Sequence, residues 1–405
     1  LLHTLRRLSD EPSAKRLSAV FASEPPSPPP GARSHRLFNA SRSSLSPPPH
    51  PHTAGEDLAA AVEKIFTDSR VPPQQHSLLI CGLSCYQAEK DDLSTADDPH
   101  ALIGAFARRN YYGEAVARMK LISRKIREKT GTAKSTLRIF CNSRVPEKLT
   151  AALAGLGFYG KNSLLIIPGL GSRFILTMLA FPSALLSGAD KETGEVVPSL
   201  DTPMGRSQPP ARPLPDTSPP SGTPLAFSQD PSKIPIRDRI PAPGSRCGTC
   251  SACIRACPTG ALHVPGQVDT GRCLQELSTK MRVWPEQVKK AWGTRLYGCE
   301  SCQDVCPYNR GLIHTTECKR GELGPSISLK QLLQLSPVEL KVLVKQNPMG
   351  LSWINPLALL RNALVAAGNN GNRVLLPPVA PYREHENRVL RDAARWAVSR
   401  LSGRL

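Results

Sequence analysis

Four thiols fall in the run Cys247-x2-Cys250-x2-Cys253-x3-Cys257-Pro258, and a second set follows as Cys273 and then Cys299-x2-Cys302-x3-Cys306-Pro307. Cysteines at these spacings, closed by Cys-Pro, match the bacterial ferredoxin run, in which the fourth cysteine ligates the other of two cubanes. The pattern therefore predicts two [4Fe–4S] clusters. By that analogy the first takes Cys247, Cys250, Cys253 and Cys306, and the second takes Cys257, Cys273, Cys299 and Cys302. Zinc also accepts paired Cys-x2-Cys ligands, but it accounts for neither eight thiols nor two Cys-x3-Cys-Pro endings. Gly248, Ala252, Gly260, Ala261 and Gly298 keep side chains out of the way. Cys81, Cys85, Cys141 and Cys318 lie outside the pattern and read as small hydrophobes.

A second motif, Gly155-x-Gly157-x-x-Gly160-Lys161, has the form of a phosphate-binding loop. Such loops need a strand before them and a helix after, so that phosphate meets a helix N-terminus. Here a helix is expected before the glycines and a strand after them. Nucleotide binding is therefore rejected, and the glycines are expected to end a helix and let a ligand approach the backbone.

The elements that must position these residues fall between Pro-rich stretches. The 405-residue chain contains 40 prolines, and residues 1–54 and 184–245 read as a disordered Pro/Ser-rich segment and a Pro-rich linker or insertion. Between them, 55–183 is expected to form an α+β domain. Strands are expected at Ser77–Cys81 and Leu137–Phe140, with a helix over Ala115–Lys129 that turns Val116, Met119, Leu121 and Ile122 inward. A short helix through Lys148–Leu153 should stop at Gly155 or Gly157, and Leu164–Ile167 and Phe174–Leu179 read as a β-hairpin about Gly169–Ser172. Residues 246–312 form the dicluster region. Residues 325–405 carry helical apolar spacing near 328–334, 337–346, 355–368 and 385–401, either a generic helical cap or HEAT-like pairs.

The formal charge of +19 favours a polyanionic partner through counterion release. Residues 1–22 lack an apolar signal core, and no run approaches the ~20 residues that cross a bilayer. Grouped cysteines without a signal peptide point to a reducing cytoplasm, with an organellar presequence the alternative for the Arg- and Ser-containing start; the chain reads as a monomer away from membranes. The basic helix with Lys120, Arg124, Lys125, Arg127 and Lys129 reads either as a solvated face or as one that meets the polyanion.

The block Ala154-Gly155-Leu156-Gly157-Phe158-Tyr159-Gly160-Lys161-Asn162-Ser163 and the run Tyr297-Gly298-Cys299-Glu300-Ser301-Cys302 through Asn309, with Leu360-Arg361-Asn362-Ala363, resemble the epoxyqueuosine reductase family. The resemblance implies a cobalamin-binding α/β sheet domain, a ferredoxin-like dicluster domain and a C-terminal helical domain, with reduction of epoxyqueuosine to queuosine in tRNA. It implies a one-electron donor such as a flavodoxin or ferredoxin, and cobalamin held by Gly157, Tyr159, Gly160, Lys161, Asn162 and Ser163. The family carries an Asp proton donor before this block, where this chain has Cys141 or, with a one-residue gap, Asn142. Cys141, Tyr111, Tyr112 or a water positioned by Asn142 are then the candidate acids, and Asn142 could equally cap the next helix. Two other readings stand beside this one: a corrinoid reductase for another substrate, akin to reductive dehalogenases, and a dicluster electron carrier without catalysis.

Overall fold

The computed structural model describes residues 17–22, 76–86, 92–143, 145–182, 242–310, 312 and 318–403. The stretches expected to be disordered or linking therefore lie outside the described residues, apart from 17–22 and 242–245. The strands run β1 (Leu17–Ala22), β2 (His76–Ser84), β3 (His100–Ile103), β4 (Arg138–Phe140), β5 (Phe158–Tyr159), β6 (Leu165–Ile166), β7 (Phe174–Pro182), β8 (Arg295–Tyr297) and β9 (Ser326–Ser328). The longer helices are α1 (Tyr111–Thr130), α2 (Glu147–Leu153), α3 (Ala252–Arg255), α4 (Leu274–Thr279), α5 (Glu286–Trp292), α6 (Ser301–Asp304), α7 (Leu329–Leu332), α8 (Pro337–Leu343), α9 (Pro356–Asn370), α10 (Leu376–Val379) and α11 (Arg388–Leu401).

The first sheet has the order β1-β2-β7-β4, all antiparallel. Leu79, Cys81, Leu179 and Phe181 face α1 through Met119 and Ile126, while Leu78, Ile80, Met178 and Ala180 face α2 through Ala151 and Ala152. Helices on both faces explain why β2 and β7 read as continuous apolar runs rather than alternating ones. Leu17–Ala22 lies within the stretch expected to lack structure, yet its backbone pairs with β2.

Two sequence expectations change here. Asn110 caps α1, its side-chain oxygen accepting from the Gly113 amide at 2.8 Å, so the helix starts four residues early. Its buried seam is Tyr111, Ala115, Met119 and Ile126, and Leu121, expected inward, is 50% exposed. The expected hairpin also splits. β6 pairs back with β5, the Gly169–Ser172 turn closes on itself through an Ile167–Gly171 bridge, and β7 joins the large sheet. A local alternation of apolar residues marks a strand but does not name its partner.

The second sheet, β8-β3-β9, draws one strand from each of three regions. Central β3 runs parallel to β8 and antiparallel to β9. Its end meets the cysteine region closely: a Cβ on Gly298, at φ +94, would stand 2.8 Å from the Cα of Gly104, so only glycine fits there. The C-terminal helices wrap α9, which is buried from Ala358 to Gly368 as a helix at the centre of a core must be.

Candidate functional site

Short helical turns carry the cysteines. Cys247 ends the turn Ser245–Cys247, Cys253 rides on α3, Cys273 precedes α4, Cys302 rides on α6, and Cys306 precedes the turn Pro307–Asn309. Burial pushes the Cys253 thiol up, and the neighbouring Cys247, Cys306 and Cys250 push it further. Burial also raises Cys302, with Cys299, Cys273, Cys253 and Cys257 adding to it. The thiols thus gather as two fours, Cys247, Cys250, Cys253 and Cys306 beside Cys257, Cys273, Cys299 and Cys302, which approach each other between Cys253 and Cys302. Cys257 moves the other way: against its burial, hydrogen bonds from the Thr259, Leu262 and Ala261 amides and the Thr259 hydroxyl lower it, the Ala261 amide at 3.2 Å. Among the described residues no three His, Cys, Asp or Glu side chains converge closely enough for a single ion. Thiols that share a neighbourhood without meeting at a point suit a cubane, whose four irons each take one thiolate. Their mutual repulsion is relieved when iron supplies positive charge.

The first four lean on the β5–β6 hairpin. Phe158, Ile166 and Cys306 pack together with Cys247 and Tyr308 against them, and the rings of Phe158 and Tyr308 meet edge-on at 5.2 Å. Lys161 Nζ donates to the carbonyls of Gly248 at 2.6 Å and Cys250 at 2.9 Å. The second four lean on the C-terminal helices. Arg361, 1% exposed, donates to the carbonyls of Leu277, Ser278, Lys280 and Arg282 and stacks 3.6 Å from the Trp284 ring. Asn362 adds bonds to Ser278 and Leu296, and Asn369 to Lys289 and Gly293. Together they hold the long insertion between Cys273 and Cys299.

The glycine block is turned inward. A Cβ on Gly157 would lie 2.4 Å from the Ile166 carbonyl oxygen, and one on Gly160 would lie 2.7 Å from Ile166 Cδ1. The close approach expected of a ligand is therefore made by the return strand β6. Gly155 ends α2 at φ +74, as expected. Tyr159, Asn162 and Ser163 are buried; the Asn162 oxygen accepts from the Leu164 amide at 3.2 Å, while its Nδ2 has no partner among the described residues. Of this block, Asn162 alone keeps an orphaned buried donor among the described residues, a polar group that a bound cofactor could satisfy.

A cavity of about 450 Å³ opens beside the first turn of α1, lined by Tyr112, Val116, Lys120, Cys141 and Arg320. It brings together two of the expected candidate acids. The Cys141 thiol donates to the Leu176 carbonyl at 3.3 Å, and burial, then the Glu147 charge, pushes it up to about 12. Tyr112 is raised by burial and then by Cys85, Tyr297, Cys141 and Glu147. Tyr111 is buried in the core below. Asn142 is exposed at φ +50, a left-handed turn that Asn tolerates, and Pro146 rather than Asn142 precedes α2, so the capping alternative is not realised. The group that sequence reasoning passed over is Glu147. Its carboxylate accepts from the Ser143 amide at 2.9 Å, and burial, opposed by the Ser143 and Asn142 hydrogen bonds, raises it to about 7. An acid in the first turn of a helix reads as helix decoration, so only its raised pKa and its charge effect on Cys141 and Tyr112 set it apart.

These features define an iron–sulfur protein with a dicluster module. Residues 246–309 match the 4Fe-4S double cluster binding domain. The chain is 32% identical to the epoxyqueuosine reductase of Bacillus subtilis over 46% of its own length and 48% of that protein's, and 27% identical to that of Xanthomonas campestris over 82% and 81%. It shares its fold with a solved epoxyqueuosine reductase bound to an epoxyqueuosine-modified tRNA stem loop, at a TM-score of 0.62 and 20% identity over 99% of this chain and 91% of that one. The chain is thus similar in sequence to epoxyqueuosine reductases and shares their fold. It spans about half the length of the Bacillus subtilis relative. Among the described residues no helix is long and apolar enough to cross a membrane.

Proposed function

We propose that this chain is a reductase that removes the epoxide oxygen of epoxyqueuosine in tRNA, leaving queuosine, with electrons passed through two [4Fe–4S] clusters. The gathering of eight cysteines into two fours is the observation that carries it. Cys247, Cys250, Cys253 and Cys306 hold one cluster, and Cys257, Cys273, Cys299 and Cys302 hold the other. Removing an epoxide oxygen takes two electrons and two protons, breaks both carbon–oxygen bonds, leaves a carbon–carbon double bond and releases water. The electrons come one at a time from a flavodoxin- or ferredoxin-class donor. A cobalamin, with Asn162 and Ser163 as the side chains that would hold it, supplies the electron-rich cobalt for the ring opening.

Glu147 delivers the first proton to the opening oxygen from beside Tyr112 and Cys141, and solvent supplies the second. A general acid works best when its pKa lies near the operating pH. Glu147 meets that condition, whereas Cys141 and Tyr112 hold their protons too tightly and serve as walls of the cavity. Asn142 shapes the turn that Glu147 closes. The +19 charge, with Lys120 and Arg320 at the cavity, supports a tRNA partner, and the helical tail, read as HEAT-like, extends that surface. The cytoplasm, where charged tRNA is made, is the place for such a monomer.

Nucleoside mass spectrometry tests this on tRNA from cells that lack their own epoxyqueuosine reductase and express this chain with cobalamin supplied. Conversion of epoxyqueuosine to queuosine is the expected result. Persistent epoxyqueuosine, with both clusters and a corrinoid loaded, would overturn it in favour of another substrate, the reading that Cys141 and Asn142 at the family's Asp position favour.

A further inference from the structure

Lys161 ends a glycine block whose usual reading is cofactor or phosphate binding, yet its ammonium is committed elsewhere. It donates to the carbonyl oxygens of Gly248 and Cys250, in the loop that follows Cys247 and ends at Cys250. Among the described residues it has no carboxylate partner. The backbone locks it in place: the Lys161 carbonyl accepts from the Gly266 amide at 2.8 Å, and the Tyr159 carbonyl accepts from Gly244 at 2.7 Å. Its stem fills the space above Gly244, where a Cβ would stand 2.4 Å from Lys161 Cγ. A cation without a carboxylate partner among the described residues is thus held against the loop of one group of four thiols.

A cubane gains one negative charge when it is reduced, and its potential follows the charge and hydrogen bonding around it. A fixed cation beside it favours the reduced form. We infer that Lys161 is a tuning and positioning residue for the cluster held by Cys247, Cys250, Cys253 and Cys306, raising its reduction potential relative to that of the second cluster. This rests on the reading of those four cysteines as the ligands of one cluster. The step is a one-electron reduction of that cluster by an external donor of the flavodoxin or ferredoxin class, with no bond made or broken by the lysine.

The test is an EPR-monitored redox titration of the full chain with both clusters loaded, poised with dithionite, in wild type, Lys161→Gln and Lys161→Arg. Iron and acid-labile sulfide are counted beforehand. In Lys161→Gln one of the two reduction steps is expected to move down, so that the reduced-to-oxidised ratio at the wild-type midpoint falls about tenfold, about 59 mV for a one-electron couple. The other step stays in place, and Lys161→Arg, which keeps charge and donors, titrates with wild type. Only loaded clusters give signal, so partial iron loss in a variant leaves its midpoint readable. A purely structural pin would lower iron content or thermal stability and leave both midpoints unmoved, and that result overturns the inference. Fewer than eight irons in wild type would instead overturn the two-cluster reading beneath it.

Discussion

The two cysteine runs share a Cys-x2-Cys-x3-Cys-Pro ending, but the two groups of four are anchored by segments on either side of them in the chain. The first is held by the β5–β6 hairpin through Lys161 and by aromatic packing of Phe158 on Tyr308. The second is held by α9, whose buried Arg361 donates to four carbonyls of the segment between Cys273 and Cys299. One anchor is a partly exposed ammonium on a loop, the other a guanidinium in a closed core. Cys257 and Cys306 cross over between the groups, so each anchor also steadies the other cluster's ligand run. Equal motifs therefore need not have equal robustness: the second group depends on a distant helix, and the first on a hairpin and one lysine.

The sharpest way to break this comparison is Cys257→Ser. That residue belongs to the first run in sequence but to the second group in space, so the variant is expected to lose about half its iron, retain the first cluster's EPR signal and lose turnover entirely. Next in size, Glu147→Gln tests whether the acid beside Tyr112, which lies near Tyr297 on the second group's side, serves the reaction. General acids contribute about 10²–10⁴-fold, and a loss of about a hundredfold below neutral pH is expected. Wild-type turnover, needing the protonated carboxyl, should fall as pH rises through about 7, while the variant is flat there. The stability sign agrees: with its folded value above the ordinary carboxylate range, the stability tied to the protonated form is present at low pH and is lost as pH rises through about 7.

Arg361→Met strips the second group's anchor and leaves several buried carbonyls unpartnered. A loss of about 3–5 kcal/mol is expected in denaturant titrations, with the second cluster bleaching before the first under mild denaturant. Smallest is Gly157→Ala, which forces a Cβ against the Ile166 carbonyl and loosens the hairpin. Overpacking of this kind costs about 1–3 kcal/mol, read as a lower Tm, and iron loss should begin at the first cluster. If both variants lost the two clusters together, the separate anchoring would be refuted.

The cysteine array was legible because most of the ligands lie in two short runs, Cys247 to Cys257 and Cys299 to Cys306, whose spacing alone restricts what they can hold. The reversed order of helix, glycines and strand was legible for the same reason, and α2 followed by β5 bears it out. The partner of β6 was not, since apolar alternation marks a strand's faces but not its neighbour. Nor was the use of Gly157 and Gly160, because a glycine that admits a ligand and one that admits a strand look the same in sequence.

By itself the sequence determined the metal chemistry, the two-cluster count and the resemblance to epoxyqueuosine reductases, through side-chain types at short fixed intervals. Only the tertiary structure decided that Lys161 bonds a cysteine loop, that Arg361 carries the insertion before Cys299, and that the Glu147 charge is felt by Cys141 and Tyr112. Those contacts join residues far apart in the chain or separated by a turn, and their energies depend on burial and on which carbonyl lies within reach. No spacing rule encodes either quantity; it arises only when the sheets β1-β2-β7-β4 and β8-β3-β9 fix the segments in space.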